Sequence, residues 1–217
     1  VNSKSKKYLT ISNQVDIKPF KGFTITAAYD YRFRDVLNKY RNNTFQYSRA
    51  EGKMETFTSG SVKNSYQEIT SNYAGHNLNV YGTYDNSWNG HNLKFTAGGQ
   101  YETYRSVELD VSNSDLTNDE LSTFASATGI PVVTQDITAY KTLGFFARAN
   151  YDYKGRYIFE ASARGDGSSR FAPGHRWAFF PSASAAWSIS EEKFFAPAKD
   201  VVDNMKLRFS AGSLGNQ

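Results

Sequence analysis

The feature that most constrains this chain is a period-two alternation of apolar and polar residues, held in phase through pairs of segments joined by turn residues. From Tyr8 to Lys18, Leu9, Ile11, Val15 and Ile17 share one face, and Thr10, Ser12, Gln14 and Asp16 share the other. Pro19-Phe20-Lys21-Gly22 reads as a turn. Phe23, Ile25, Ala27, Tyr29, Tyr31 and Phe33 then alternate with Thr24, Thr26, Asp30, Arg32 and Arg34. Successive side chains of a strand point to opposite faces, so this is a hairpin with one apolar face and one charged face.

The pattern recurs. Leu78, Val80, Tyr84 and Trp88 alternate with Asn77, Asn79, Thr83 and Asp85, and Asn89-Gly90 follows as a strong hairpin signal. Leu93, Phe95, Ala97 and Tyr101 oppose Asn92, Lys94, Thr96, Gln100 and Glu102. A third hairpin carries Leu143 to Tyr153 outward, turns at Lys154-Gly155 and returns through Tyr157, Phe159, Ala161 and Ala163. Its polar face holds Arg148, Asn150, Asp152, Glu160, Ser162, Arg164 and Asp166. A seventh strand sets Trp177, Phe179, Ala183, Ala185, Trp187 and Ile189 against serines. An eighth sets Leu207, Phe209 and Ala211 against Lys206, Arg208 and Ser210.

The connections are unequal. Tight turns fall at Lys18 to Gly22, Asn89 to His91 and Lys154 to Arg156. Long polar segments span roughly Asp35 to Asn72 and Arg105 to Asp136, with a shorter one from Gly167 to Arg176. Short turns at one end and long loops at the other are the layout of an outer-membrane barrel. The link from Glu191 to Asn204 falls on the short-turn side yet is long, so it is expected to hold a small structure of its own. Thr117 to Thr128 reads as a short helix, with Thr117 and Glu120 at capping-box spacing.

A soluble sandwich would alternate too, but three features point to a membrane wall. Charges such as Glu160 and Arg164 sit in mid-strand, as a wet lumen allows. The apolar faces use Ala147, Ala149, Ala161, Ala163, Ala183 and Ala185, flanked by Tyr151, Tyr153, Tyr157, Trp177 and Trp187. Lipid needs no jigsaw fit, whereas a dry core would leave voids beside alanines. Segments of about ten to twelve residues also exceed the five or six usual in soluble sheets. A mean hydropathy of -0.59 fits, because a barrel strand needs apolar residues only at alternate positions. No apolar run is long enough for a transmembrane helix.

With no cysteine, disulfides, CxxC redox chemistry and Cys-ligated zinc are excluded. The net charge of +4 is carried by scattered Lys and Arg, which argues against nucleic acid as a partner. No nucleophile elbow, P-loop or HExxH pattern appears, so neither an enzyme nor a cofactor is expected. His76, His91 and His175 are isolated, which argues against a metal site. Arg164-Gly165-Asp166 matches an adhesion tripeptide by chance. Asp166, Ser168, Ser169 and Arg170 read as a loop stitched by side-chain-to-backbone hydrogen bonds.

The last third is the most specific part. A D-G-S-S-R-F loop (Asp166 to Phe171) is followed by an R-W-x-x-F-P-S strand (Arg176 to Ser182). Next come an E-E-K-F-F link (Glu191 to Phe195) and a final G-N-Q (Gly215 to Gln217). In this order they resemble the SusC/RagA family of TonB-dependent outer-membrane transporters of Bacteroidetes. The departure is Gly165, where the family usually shows another charged or small residue. The resemblance implies an all-β, antiparallel up-and-down transmembrane barrel of 22 strands, of which residues 1–217 would supply about eight. It implies a plug domain and signal peptide outside this chain, both ends being cuts within a longer protein. It further implies residence in the outer membrane, a SusD-like surface lipoprotein as lid, and import of oligosaccharides or peptides energised by TonB through the plug.

On that reading Arg32, Arg34, Arg148, Glu160, Arg164, Lys206 and Arg208 face the lumen, where charged residues set selectivity or pair with the plug. Tyr40, Phe45 and Tyr47 are extracellular-loop candidates for stacking on sugar rings. Two alternatives remain: a passive porin or structural barrel, and a soluble β-sheet glycan-binding module. A plug and TonB box upstream would decide the first, and membrane partitioning the second.

Overall fold

The computed structural model describes residues 2–57, 64–118 and 120–215, apart from the side chains of residues 45, 46, 56 and 57. Its strands are β1 (Ser3–Phe20), β2 (Phe23–Asn42), β3 (Phe45–Ala50), β4 (Lys53–Phe57), β5 (Ser65–Trp88), β6 (His91–Ser114), β7 (Val132–Tyr153), β8 (Tyr157–Ser168), β9 (Trp177–Ser188) and β10 (Lys206–Gly212). Eight of them form one sheet in the order β1-β2-β5-β6-β7-β8-β9-β10, and β3 and β4 form a separate hairpin. Apart from the β3–β4 hairpin inserted between β2 and β5, the strands follow one another across the sheet in chain order, the up-and-down arrangement of an antiparallel barrel wall.

Two compact units share these strands. One comprises Val1–Thr10, Tyr31–Gly75 and Tyr104–Ala139; the other comprises Ile11–Asp30, His76–Thr103 and Tyr140–Gln217.

In the second unit the three tight turns lie side by side. The amide of Asp85 donates to Gly22 O at 2.7 Å, and that of Lys154 donates to Gly90 O at 2.6 Å. Asn89 and Gly90 have φ of 48° and 83°, the left-handed pair that a two-residue hairpin loop requires. Register fixes the faces. Ala149, Ala161, Ala183 and Ala211 form one row across four strands, and Tyr151, Phe159, Ala185 and Phe209 form the next. On the other face Asn150, Glu160, Ser184 and Ser210 align. The apolar face is uncovered: Phe95, Phe145, Phe159 and Phe179 are all exposed. Some large side chains depart from the simple division: Tyr81 and Phe146 pair on the polar face with ring centroids 6.3 Å apart, and Phe180 stands there in register with Arg164.

Pro181 lies within β9, flanked by β8 and β10. Its missing N–H falls where the β10 ladder ends. Gly212 is the last residue in register, and Ser213 N donates to Pro181 O at 2.9 Å. A proline is tolerated at such a ladder end.

In the first unit the strands correct the expected loops. β2 continues to Asn42, β5 starts at Ser65, β6 runs to Ser114 and β7 starts at Val132. A ladder satisfies its own backbone in water as in lipid, so it outlasts the alternation that one apolar surrounding imposes. A small core forms there, with Val36, Tyr66 and Leu116 buried and Phe124 against the Tyr66 ring at 4.8 Å. The helix expected over Thr117 to Thr128 is absent from the described residues. Only a 3-10 turn, Phe124–Ser126, forms, capped by Thr123 rather than Thr117. The Thr117 hydroxyl instead donates to Ser126 O at 3.1 Å, and Asn118 Oδ1 accepts from the Glu120 amide at 2.8 Å. Such local bonds compete with a helix start.

The link after β9 does carry structure of its own, as two 3-10 turns, Ile189–Glu191 and Lys193–Ala198. Glu192 ties it to the strand ends. Its carboxylate accepts from Tyr157 OH at 2.7 Å, Trp187 Nε1 at 3.1 Å and Arg156 Nη1 at 3.3 Å. The Tyr157 bond, then the Trp187 bond, then the Arg156 charge hold its pKa below the usual carboxylate value, against burial. A depressed pKa contributes stability that is full above the unfolded-state value and lost as pH falls through the folded one. The urea stability difference between the full-length protein and its Glu192→Gln variant should therefore be largest near neutral pH and shrink below about pH 4.3. A difference independent of pH would contradict this role for the charge.

Candidate functional site

The polar face carries the chemistry, and most of it is internally paired. Near the tight turns Thr26 Oγ1 donates to Asp16 at 2.6 Å, and Asn92 Nδ2 to Asp152 at 3.0 Å. Further along, a polar rung crosses the sheet. Asn77 donates to Asp30 at 3.4 Å, and Gln100 donates to Asn77 at 3.1 Å. Arg164 Nη2 donates to Gln100 Oε1 at 2.9 Å, and Arg164 Nε donates to both Asp166 oxygens at 2.8 and 2.7 Å.

Arg164 belongs to β8 and Gln100 to β6, so the guanidinium crosses β7. Gly144 makes the crossing possible. A Cβ built there would stand 2.5 Å from Asp166 Oδ1 and 2.8 Å from Arg164 Nη2. Gly144→Ala should displace the bridge and cost about 1–2 kcal/mol of folding stability, the scale of one charge-assisted hydrogen bond less relaxation. Because both changes break one contact, Gly144→Ala and Gln100→Ala should lose less together than the sum of their separate losses. Urea unfolding of the full-length protein in detergent checks both; strict additivity would mean that the bridge carries no energy.

The candidate residues fall into three places. Arg148, Glu160 and Arg208 line one open depression of about 600 Å³, and Arg148 Nη2 meets Glu160 at 2.6 Å. Lys206 shares their face, in register with Ser188. Arg164 lines a separate recess of about 390 Å³ with Gln100, Glu102, Tyr140, Thr142 and Asp166. On β2, Arg32 is exposed, and the Arg34 guanidinium stands 5.6 Å from the Tyr73 ring centroid. The sequence reading missed Asn77, Gln100 and Gly144, whose roles depend on register across three strands.

Of the loop candidates, Tyr40 sits on β2, not in a loop, because that strand outruns the alternation. Phe45 and Tyr47 lie on β3, and only the backbone of Phe45 is described. Tyr47 OH donates to Glu55 at 2.8 Å, and Arg49 covers its ring at 5.3 Å. The expected loop from Asp166 to Arg170 is in part strand, since β8 runs to Ser168 and Asp166 bonds the Arg164 side chain. The expected stitching to backbone is made by Ser169 Oγ, which accepts from Lys141 N at 2.9 Å, and Ser168 Oγ, which accepts from Arg170 N at 3.3 Å. Two of the three histidines bond tyrosine hydroxyls on the apolar face, His76 to Tyr29 and His91 to Tyr151, both at 2.8 Å.

Ring rows border the apolar face of the second unit. Trp187 aligns with Tyr157 and Leu207 at the turn end. Trp177 stacks on Phe145 at 6.1 Å at the other end. The two tryptophans are ten residues apart on β9. That is roughly 33 Å along a strand, or about 25 Å along the normal at the tilt of a membrane barrel, the height of its apolar band.

Comparison with known proteins agrees. Residues 3–214 match the family described as TonB dependent receptor-like, beta-barrel. TonB-dependent receptor P3 of Formosa agariphila is 28% identical over 183 residues, covering 83% of this chain and 17% of that protein. TonB-dependent receptor SusC of Bacteroides thetaiotaomicron is 42% identical over 84 residues, covering 37% of this chain and 8% of its own. A structure of the RagAB peptide importer in its closed-closed state superposes with a TM-score of 0.82 at 20% identity. That match covers 100% of this chain and 23% of the other. The chain spans less than a quarter of each of these relatives. It is a stretch of antiparallel barrel wall and belongs to the TonB-dependent receptor β-barrel family, as a homologue of SusC.

Proposed function

We propose that this chain is part of the wall of an outer-membrane active transporter that imports glycans or peptides. Import is energised by TonB acting on a plug domain outside this sequence, and a SusD-like surface lipoprotein closes the outer side. The observation that carries the reading is the two-faced sheet, its apolar side bordered by Trp177 and Trp187 at the spacing of a membrane band. The family membership supports the transport class. Residues 1–217 are then one partial barrel domain with no catalytic role. Arg32, Arg34, Arg148, Glu160, Arg164, Lys206 and Arg208 face the lumen, and Tyr47 stands among the outer loops. Strands β5 and β6, of 24 residues each, overrun the nine to eleven that a bilayer requires. The excess raises the wall above the membrane on the loop side, where solute and lid arrive.

Deleting the full-length gene from its host tests this. Uptake of either a labelled glycan or a labelled peptide should fall at least tenfold, and removing TonB should cause the same loss. Uptake that survives without TonB would favour a passive pore. A full-length protein recovered from the soluble fraction would overturn the membrane reading.

A further inference from the structure

The strands flanking β7 differ in length, and the mismatch leaves an unpaired edge. β7 starts at Val132, yet β8 is in register with it only from Thr142, opposite Ser168. Val132 to Ala139 therefore has β6 on one side and, among the described residues, no strand on the other. Every one of these eight residues is exposed, Val133 by 62% and Ile137 by 52%.

Parity identifies the free groups. Lys141 directs both its backbone groups to the β8 side, since its O accepts from Ser169 N at 3.0 Å and its N–H donates to Ser169 Oγ. An antiparallel residue points N–H and C=O to the same side, so Val133, Gln135, Ile137 and Ala139 present theirs to the open side. Exposed edges are normally blunted by lysine, proline or a bulge. This one has no proline within it and a single charge, Asp136.

We propose that Val132 to Ala139 is a docking strand, completed by an extended strand of the surface lipoprotein partner. The inference rests on the function proposed above. Strand addition supplies main-chain hydrogen bonds for affinity and alternate side chains for selectivity. The partner strand carries apolar residues over Val133 and Ile137. On the opposite face it carries hydroxyl or basic residues beside Thr134, Asp136 and Thr138. An edge this long holds its strand through several paired residues. That suits a resident subunit better than a solute that must be released.

The test uses the full-length transporter purified from its host with and without its lipoprotein. Hydrogen exchange should be fast at the amides of Val133, Gln135, Ile137 and Ala139 in the transporter alone. It should be at least tenfold slower in the complex, while the even-numbered amides, bonded to β6, are protected in both. Ile137→Pro removes a donor only from the open side and should weaken lipoprotein binding by about tenfold, the equivalent of one such bond. Thr138→Pro, which breaks the β6 ladder, reports any folding defect separately. Protection already present without the lipoprotein would mean that the parent chain covers its own edge. Protection conferred by free peptide alone would mean a solute site. Either result overturns the proposal. So does an Ile137→Pro variant that folds and binds normally, or an edge left unprotected in an intact complex. If no lipoprotein accompanies the wild-type protein, the function proposed above fails first.

Discussion

Placing arginine at Ala161 should destabilise the full-length protein by about 2–4 kcal/mol, while arginine at the adjacent Ser162 should cost under about 1 kcal/mol. The residues are neighbours near the middle of β8, in register with Ala183 and Ser182 respectively. Ala161 lies in the alanine row of the apolar face, and Ser162 Oγ meets Ser182 Oγ at 2.7 Å on the polar face. A charge at mid-bilayer on the lipid side must be dehydrated or must drag water inward; on the lumen side it stays wet. Folding titrations in lipid vesicles give both values. Equal costs would mean that the two faces see the same medium, as in a sheet standing in water.

Expressed alone, residues 1–217 should accumulate as aggregate or remain dispersed only in detergent, whereas the full-length protein should partition with the outer membrane. β1 and β10 bound the sheet, and among the described residues each pairs on one side only. Their free N–H and C=O groups template association in water and have no partner in lipid. Burial is equally unfavourable, since among the described residues only Val36, Tyr66 and Leu116 form a hydrophobic core while Leu9, Ile17, Phe159 and Phe209 stand exposed. Sedimentation of the isolated chain in plain buffer decides this. A monodisperse, cooperatively unfolding monomer would revive the soluble-module alternative.

The eight sheet strands and their faces were legible because one face meets an apolar medium. That contrast writes the alternation from Phe23 to Phe33 and from Leu143 to Ala163. The turns were legible because Asn89, Gly90 and Gly155 are residues that tolerate positive φ. Where both faces meet water the signal fades, so the outer parts of β2, β5, β6 and β7 read as loops. Hairpin β3–β4 was hidden for the same reason, and Tyr40 was assigned to a loop. At Thr117 a capping pattern pointed to a helix, but the loop found its bonds in Asn118 and Ser126 instead. The polar site was legible only in part. Arg164 and Glu160 announce themselves by charge in mid-strand. Gln100 and Gly144 become meaningful only once register sets them under the Arg164 guanidinium, and register is a property of paired strands. The open edge of β7 likewise follows from a difference between two strand ends, which no single segment records.

The assignment of this sheet as membrane wall depends on which medium each of its faces meets. A single-cysteine scan from Tyr157 to Arg164 in the full-length protein, reconstituted in lipid vesicles and carrying a fluorescent label, measures this directly. Labels at positions 157, 159, 161 and 163 should be quenched by a lipid-soluble quencher and spared by a water-soluble one. Positions 158, 160, 162 and 164 should show the reverse. Odd positions shielded from both quenchers, as in a dry protein core, would contradict the membrane-wall assignment.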